Sequence, residues 1–131
     1  MATRRWWELY RHPYELTTSE AVLAELGFAP ARKAKEAAAL LRPVKLLVEP
    51  PELDDVIGYY IDHKVMPAAA TGDAYHLAIA SLCSVDYLLT WNCKHLANAN
   101  KMRHISVANQ RLGLHVPILT TPLSLMPEAH I

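Results

Sequence analysis

Two oxygen-bearing side chains, Asp73 and Asn92, lie within the stretch GDAYHLAIASLCSVDYLLTWNCKHLAN, Gly72 to Asn98. Asp73 opens an apolar helix, and Asn92 ends the short apolar strand that follows it. In open α/β sheets, ligands collect outside the carboxyl ends of the strands, where a strand end and a helix start both point. A third oxygen donor comes from Glu25. On a helical wheel it falls between Ala21 and Val22 with Leu26 just beyond, which predicts a place on the apolar arc of its helix. A carboxylate there is costly unless a cation, a metal or hydrogen-bond donors compensate it. Glu20 lies outside that arc and has a structural task, as the acid of a Thr17–Glu20 capping box. Glu25 is therefore the preferred candidate.

Oxygen donors alone suit a hard cation, Mg²⁺ or Mn²⁺, which keeps several waters and bridges carboxylates to phosphate oxygens. Hydrolysis of a phosphodiester is the natural chemistry if Glu25, Asp73 and Asn92 converge. Taken singly, each has a plainer reading. Asp73 serves as a helix cap or first-turn acid, and Asn92 turns the chain after a strand. His76, three residues past Asp73, and His95, close after Asn92, are placed to touch a substrate. No histidine pair has zincin spacing, and GxGxxG, P-loop and GxSxG motifs do not occur. Cys83 and Cys93 form no CxxC pair and read as small buried hydrophobes.

A chain of 131 residues, 52% hydrophobic and 20% charged, has the size and composition of one compact domain. No apolar run approaches the roughly 18 residues of a membrane span, and the basic, aromatic start lacks a secretory signal. A cytoplasmic protein is expected. Net charge is zero, yet residues 51–90 hold six acids against Lys64, and residues 91–131 hold four cations against Glu128. Such a distribution suits a metal site beside a phosphate-bearing substrate.

The elements that position these residues alternate. Helices are predicted over Thr3–His12, from Thr17–Glu20 to Leu26, and over Ala31–Arg42, Leu53–Val65, Ala74–Val85 and Asn100–Leu112, with Gly113 as a stop. Strands are predicted over Tyr14–Thr18, Val44–Val48, Tyr87–Trp91 and Pro117–Thr121. The helix Ala74–Val85 is apolar nearly all round and so expected to be buried. This order implies an α/β fold with a parallel sheet. The chain opens in mid-pattern, which suggests that an initial strand is missing.

The blocks TSEAVLAEL, GDAYHLAIASLCSVDYLLTWNCKHLAN and PILTTPLSLM resemble, in order and spacing, a PIN domain, in particular the VapC-like ribonuclease toxins of toxin–antitoxin pairs. The resemblance covers essentially residues 1–131 as a single domain. It implies a three-layer α/β/α sandwich around a central parallel sheet, of which about four strands are present here. It further implies Mg²⁺- or Mn²⁺-dependent cleavage of single-stranded RNA, a cognate antitoxin protein as partner and a homodimer. Matched residue by residue, the helical acid falls on Glu25, the acid opening the buried helix on Asp73, and the acid after the strand on Asn92. The chain departs from the pattern twice: Asn92 is an amide, and the opening strand with its acid lies before Met1. Three functions remain open on the sequence: a metal-dependent ribonuclease, a PIN module that binds RNA or protein without catalysis, and a subunit that completes its sheet by strand exchange.

Overall fold

The computed structural model describes residues 7–8, 11, 14–26, 30–67, 71–89 and 99–121. Strands and helices alternate through them: β1 (Thr17–Thr18), α1 (Glu20–Leu26), α2 (Ala31–Leu41), β2 (Lys45–Leu46), α3 (Leu53–Asp62), α4 (Thr71–Leu82), β3 (Tyr87–Leu89), α5 (Ala99–Leu112) and β4 (Ile118–Thr120). Of the helix expected over Thr3–His12, Trp7 and Glu8 are helical, and the Arg11 guanidinium lies 5.0 Å over the Trp7 ring. None of the described helices is long and apolar enough to cross a membrane.

Both strand pairs are parallel, as expected of an α/β chain. Thr17 lies opposite Lys45 in the first, and Tyr87 to Leu89 lie opposite Ile118 to Thr120 in the second. The single central sheet is not what the described residues form. They make two separate two-stranded sheets, β1 with β2 and β3 with β4. Among the described residues each strand pairs along one edge only, and β1, β2 and β4 are shorter than the strands predicted for them.

Helix α4 is the hub of the core. Ala74, Leu77, Ala78 and Ser81, at helical spacing, are 0–1% exposed. They pack with Leu53, Val56 and Tyr60 of α3, Ile105 and Ala108 of α5, and Leu119 of β4. Each large side chain so buried contributes about 1.5–3 kcal/mol. Three polar groups are sealed in the same core. Tyr60 Oη donates to Asn109 Oδ1 at 2.6 Å and lies 3.2 Å from Ser81 Oγ. Asn109 Nδ2 donates to Ser81 Oγ at 2.8 Å and to the His115 carbonyl at 2.9 Å. Ser81 in turn donates to the Leu77 carbonyl at 2.8 Å. Burial pushes the Tyr60 hydroxyl above its ordinary range, against the pull of Ser81 and Asn109. By contrast, α2 buries no residue; its Ala, Lys and Leu content makes it helical by propensity, with an exposed Arg32–Glu36 pair at 3.3 Å.

Helix starts and stops differ from expectation in instructive ways. The capping box is not built on Thr17, which belongs to β1. The cap is Ser19, whose hydroxyl accepts the Val22 N–H at 3.3 Å, because the strand carries the chain two residues further before it turns. Gly113 stops α5 as predicted, at φ 71°. Helices α3 and α4 close in the same way on Lys64 (φ 58°) and Ser84 (φ 55°). Behind them Val65 N–H reaches the Tyr60 carbonyl and Val85 N–H the Ala80 carbonyl, at 2.8 and 2.9 Å. A side chain pays about 1–2 kcal/mol in this left-handed conformation. Lys64→Gly is therefore expected to stabilise the protein by about 0.5–1 kcal/mol after glycine's greater unfolded-state freedom is subtracted, read as a raised thermal midpoint.

Candidate functional site

Helix α1 has seven residues and shallow cover. Ala21 and Val22 are half-buried, whereas Leu23, Ala24 and Glu25 are exposed. The Glu25 side chain, expected on a buried arc, is 59% exposed. The wheel placed it near Ala21 and Val22 correctly, but α1 is covered over only part of that arc. Its carboxylate crosses to α4 instead. His76 Nε2 donates to Glu25 Oε1 at 2.9 Å, with the imidazole 15% exposed. On the preceding turn, a Cβ added to Gly72 would stand 3.4 Å from the same oxygen. Glu25 thus meets α4 at residues on both sides of Asp73, which is half-buried in the helix's first turn. At that position the helix dipole stabilises negative charge. The helix begins at Thr71 rather than Ala74, so Asp73 is a first-turn acid and not the cap.

Asn92, His95, Thr90, Trp91 and Cys93 lie outside the described residues. Among the described residues no group of three His, Cys, Asp or Glu side chains is disposed to hold a metal ion. Of the C-terminal cations, Lys101 donates to the Val65 carbonyl at 2.6 Å, and Arg103 and Arg111 are exposed.

Two further residues at this end of α4 escaped sequence reasoning. The Tyr75 hydroxyl donates to Glu49 Oε1, and the Tyr75 ring meets the His76 ring edge-on, with centroids 6.0 Å apart. Glu49 arrives from the segment between β2 and α3, and no local pattern links it to Tyr75. Burial, the Glu49 hydrogen bond and charge, and then the charge of Glu20 push the Tyr75 hydroxyl up to about 12. Acids from three parts of the chain (Glu20 and Glu25, Glu49, Asp73) therefore surround the start of α4. The absorbance of ionised tyrosine should show one group titrating near this value, and Glu49→Gln should bring it down. The unfolded chain has the ordinary value of about 10, so ionisation favours unfolding. The stabilising contribution is complete below that pH and is lost as pH rises through the folded value.

Cys83 is half-buried rather than sealed, with Sγ 3.9 Å from the Val48 carbonyl. Burial pushes its thiol up, opposed by the charge of Lys45, which makes it a poor nucleophile. No protein-family model matches the chain, and no match was found among curated proteins or solved structures.

Proposed function

We propose that the chain is a metal-dependent endoribonuclease of PIN type, akin to the VapC-like toxins, that hydrolyses phosphodiester bonds of single-stranded RNA. The observation that supports this reading best is the approach of Glu25 to the first turns of α4, at His76 and Gly72. Glu25 thereby meets α4 at residues on either side of Asp73, which supports a site shared by the two acids. Glu25 and Asp73, with the amide oxygen of Asn92, would hold Mg²⁺ or Mn²⁺. Their donor chemistry fits such an ion, which commonly takes one or two carboxylates and fills its shell with water and phosphate oxygens. When bound, the ion supplies Lewis-acid stabilisation of the charge that builds on the phosphate.

The chain's own groups do the positioning. His76 holds the Glu25 carboxylate against α4 in place of bulk water, which fixes an otherwise exposed side chain. Arg103 and Arg111 are available to the RNA backbone. The same reading carries a cognate antitoxin and a homodimer as its partners, and a three-layer α/β/α sandwich as its architecture.

The direct test is cleavage of a single-stranded RNA with Mn²⁺ and with chelator. Cleavage that requires the ion supports the proposal, and RNA left intact under both conditions refutes it. His76→Ala should lower kcat/KM by about 10–100-fold, the range typical of partners that orient ligands. His76→Gln, which keeps a donor, should recover part of the loss.

A further inference from the structure

Helix α2 carries more charge than its packing requires. Residues 31–45 hold five cations, Arg32, Lys33, Lys35, Arg42 and Lys45, against one acid, Glu36. Ala34, Ala37 and Leu41 are half-buried and mark the side of the helix turned to the protein. On the other side Arg32, Lys35, Ala39 and Arg42 are exposed. Their i, i+3, i+7, i+10 spacing sets them in one stripe, about 15 Å long at the rise of an α-helix. These cations oppose the helix they sit on. Arg32 and Lys33 stand in the first turn, where the helix dipole is already positive. That turn has no acid, and Pro30 supplies no side-chain cap. Arg32 is paired with Glu36, at 91% and 60% exposure, in the weaker of the two orders for an i, i+4 pair. An eleven-residue helix that buries nothing is marginal in water without such burdens. A polyanion along the stripe would turn each of them to advantage.

We propose that the outer face of α2 binds the sugar–phosphate backbone of a single-stranded RNA, which steadies the helix as it binds. Arg and Lys side chains are the usual partners of phosphate oxygens, and proteins that hold single strands track the backbone with a positively charged surface. The small side chains of Ala38 and Ala39 leave the ground between Lys35 and Arg42 open to that backbone. A protein partner would call for aromatic or aliphatic anchors at the centre of the contact. A lipid surface would call for a continuous apolar face, whereas Leu40 is the one large apolar group that α2 exposes, its other apolar residues being alanines and the half-buried Leu41. On α5, by contrast, Lys101 is engaged with the Val65 carbonyl, and Arg103 and Arg111 stand two turns apart. Helix α1, which carries Glu25, packs against α2, so an RNA held on the stripe lies next to the element that bears a proposed metal ligand. The choice of RNA as the polyanion rests on the ribonuclease reading; the surface itself needs neither metal nor cleavage.

The test is fluorescence anisotropy of a short labelled oligouridylate, titrated with the intact chain in EDTA over a range of salt. Saturable binding that weakens with salt is expected. Each phosphate contact adds about 0.7 to the steepness of log affinity against log salt for a single strand. The variant Arg32→Gln/Lys35→Gln/Arg42→Gln should therefore flatten that slope by about 2 and weaken binding about tenfold or more. Glutamine is a good helix former, so the free variant should match the wild type in helix content by circular dichroism. Amide exchange over residues 31–41 should slow when RNA binds the wild type and not when it meets the variant. Lys64→Gln, which removes an exposed cation at the end of α3, should leave slope and affinity as they are. No binding in EDTA, or a slope that the triple variant leaves unchanged, overturns the proposal. So does binding to vesicles of anionic lipid in preference to the oligouridylate. Failure here is distinct from failure of the ribonuclease reading. RNA that is bound yet left intact with Mn²⁺ refutes only that reading, and a triple variant that binds and cleaves RNA as the wild type does refutes only the role of α2.

Discussion

Glu25→Gln is expected to reduce Mn²⁺-dependent RNA cleavage by about 100-fold or more, given that even residues that merely orient metal ligands cost 10–100-fold. The substitution keeps the shape of the side chain and a hydrogen-bonding oxygen for His76. It removes one negative charge from the ligands of the divalent ion, and at the short range of direct coordination that loss is felt even by an exposed carboxylate. Because the Glu25 side chain is 59% exposed, folding should be little affected, within about 0.5 kcal/mol. Loss of activity with an unchanged unfolding midpoint therefore isolates a chemical role. Glu20→Gln supplies the contrast. Glu20 sits in the first turn of the same helix, exposed, and bears on Tyr75 by charge alone, so its loss should leave most of the activity. Comparable losses at both positions would point to the general acidic field rather than to Glu25.

The largest stability effect is expected at Asn109. This residue is 0% exposed and joins α3, α4 and the segment after α5 through Tyr60, Ser81 and His115. Asn109→Ala strands the His115 carbonyl and leaves the Tyr60 hydroxyl only its longer bond to Ser81 Oγ, at 3.2 Å, in an apolar surround. At about 1–3 kcal/mol for the stranded carbonyl and about 1 kcal/mol for the lost bond, a loss of about 2–4 kcal/mol is expected, a large part of the 5–15 kcal/mol that holds an ordinary domain together. Tyr60→Phe strands only one acceptor and should cost about 1–2 kcal/mol. Urea unfolding of the three proteins checks the order. Equal midpoints for the wild type and Asn109→Ala would mean that the network is replaced by water.

Much of the fold was legible because apolar periodicity reports burial. The alternation of helices and strands, the parallel pairing and the sealed face of α4 all follow from it. Gly113 marked the end of α5 because glycine advertises the left-handed conformation. Lys64 and Ser84 adopt the same conformation and could not be read, since their side chains carry no such signature. β1, β2 and β4 are shorter than their sequence predicts, because an apolar run records burial on its faces and says nothing about neighbours at its edges; the end of the strand expected over Tyr87–Trp91 lies outside the described residues. For the same reason a single sheet was expected where the described residues form two.

The apolar arc of α1 locates Glu25 but not its exposure. The wheel located it beside Ala21 and Val22, but a short helix with little cover leaves that position open. What gives Glu25 a partner is His76, fifty-one positions away, and no local pattern encodes such a pairing. The Asn109 network was hidden likewise, inside a helix of mixed polarity whose asparagine resembles a surface residue. Of the three proposed ligands, Glu25 and Asp73 belong to elements in contact, and Asn92 lies outside the described residues.

In the proposed site Glu25 and Asp73 share one divalent ion. Mn²⁺ binding, followed by electron paramagnetic resonance of the free ion, tests it without requiring turnover. One site per chain is expected in the wild type, weakened about tenfold or more by either Glu25→Gln or Asp73→Asn, as removal of one full ligand charge requires. Mn²⁺ affinity unchanged by both substitutions would contradict it.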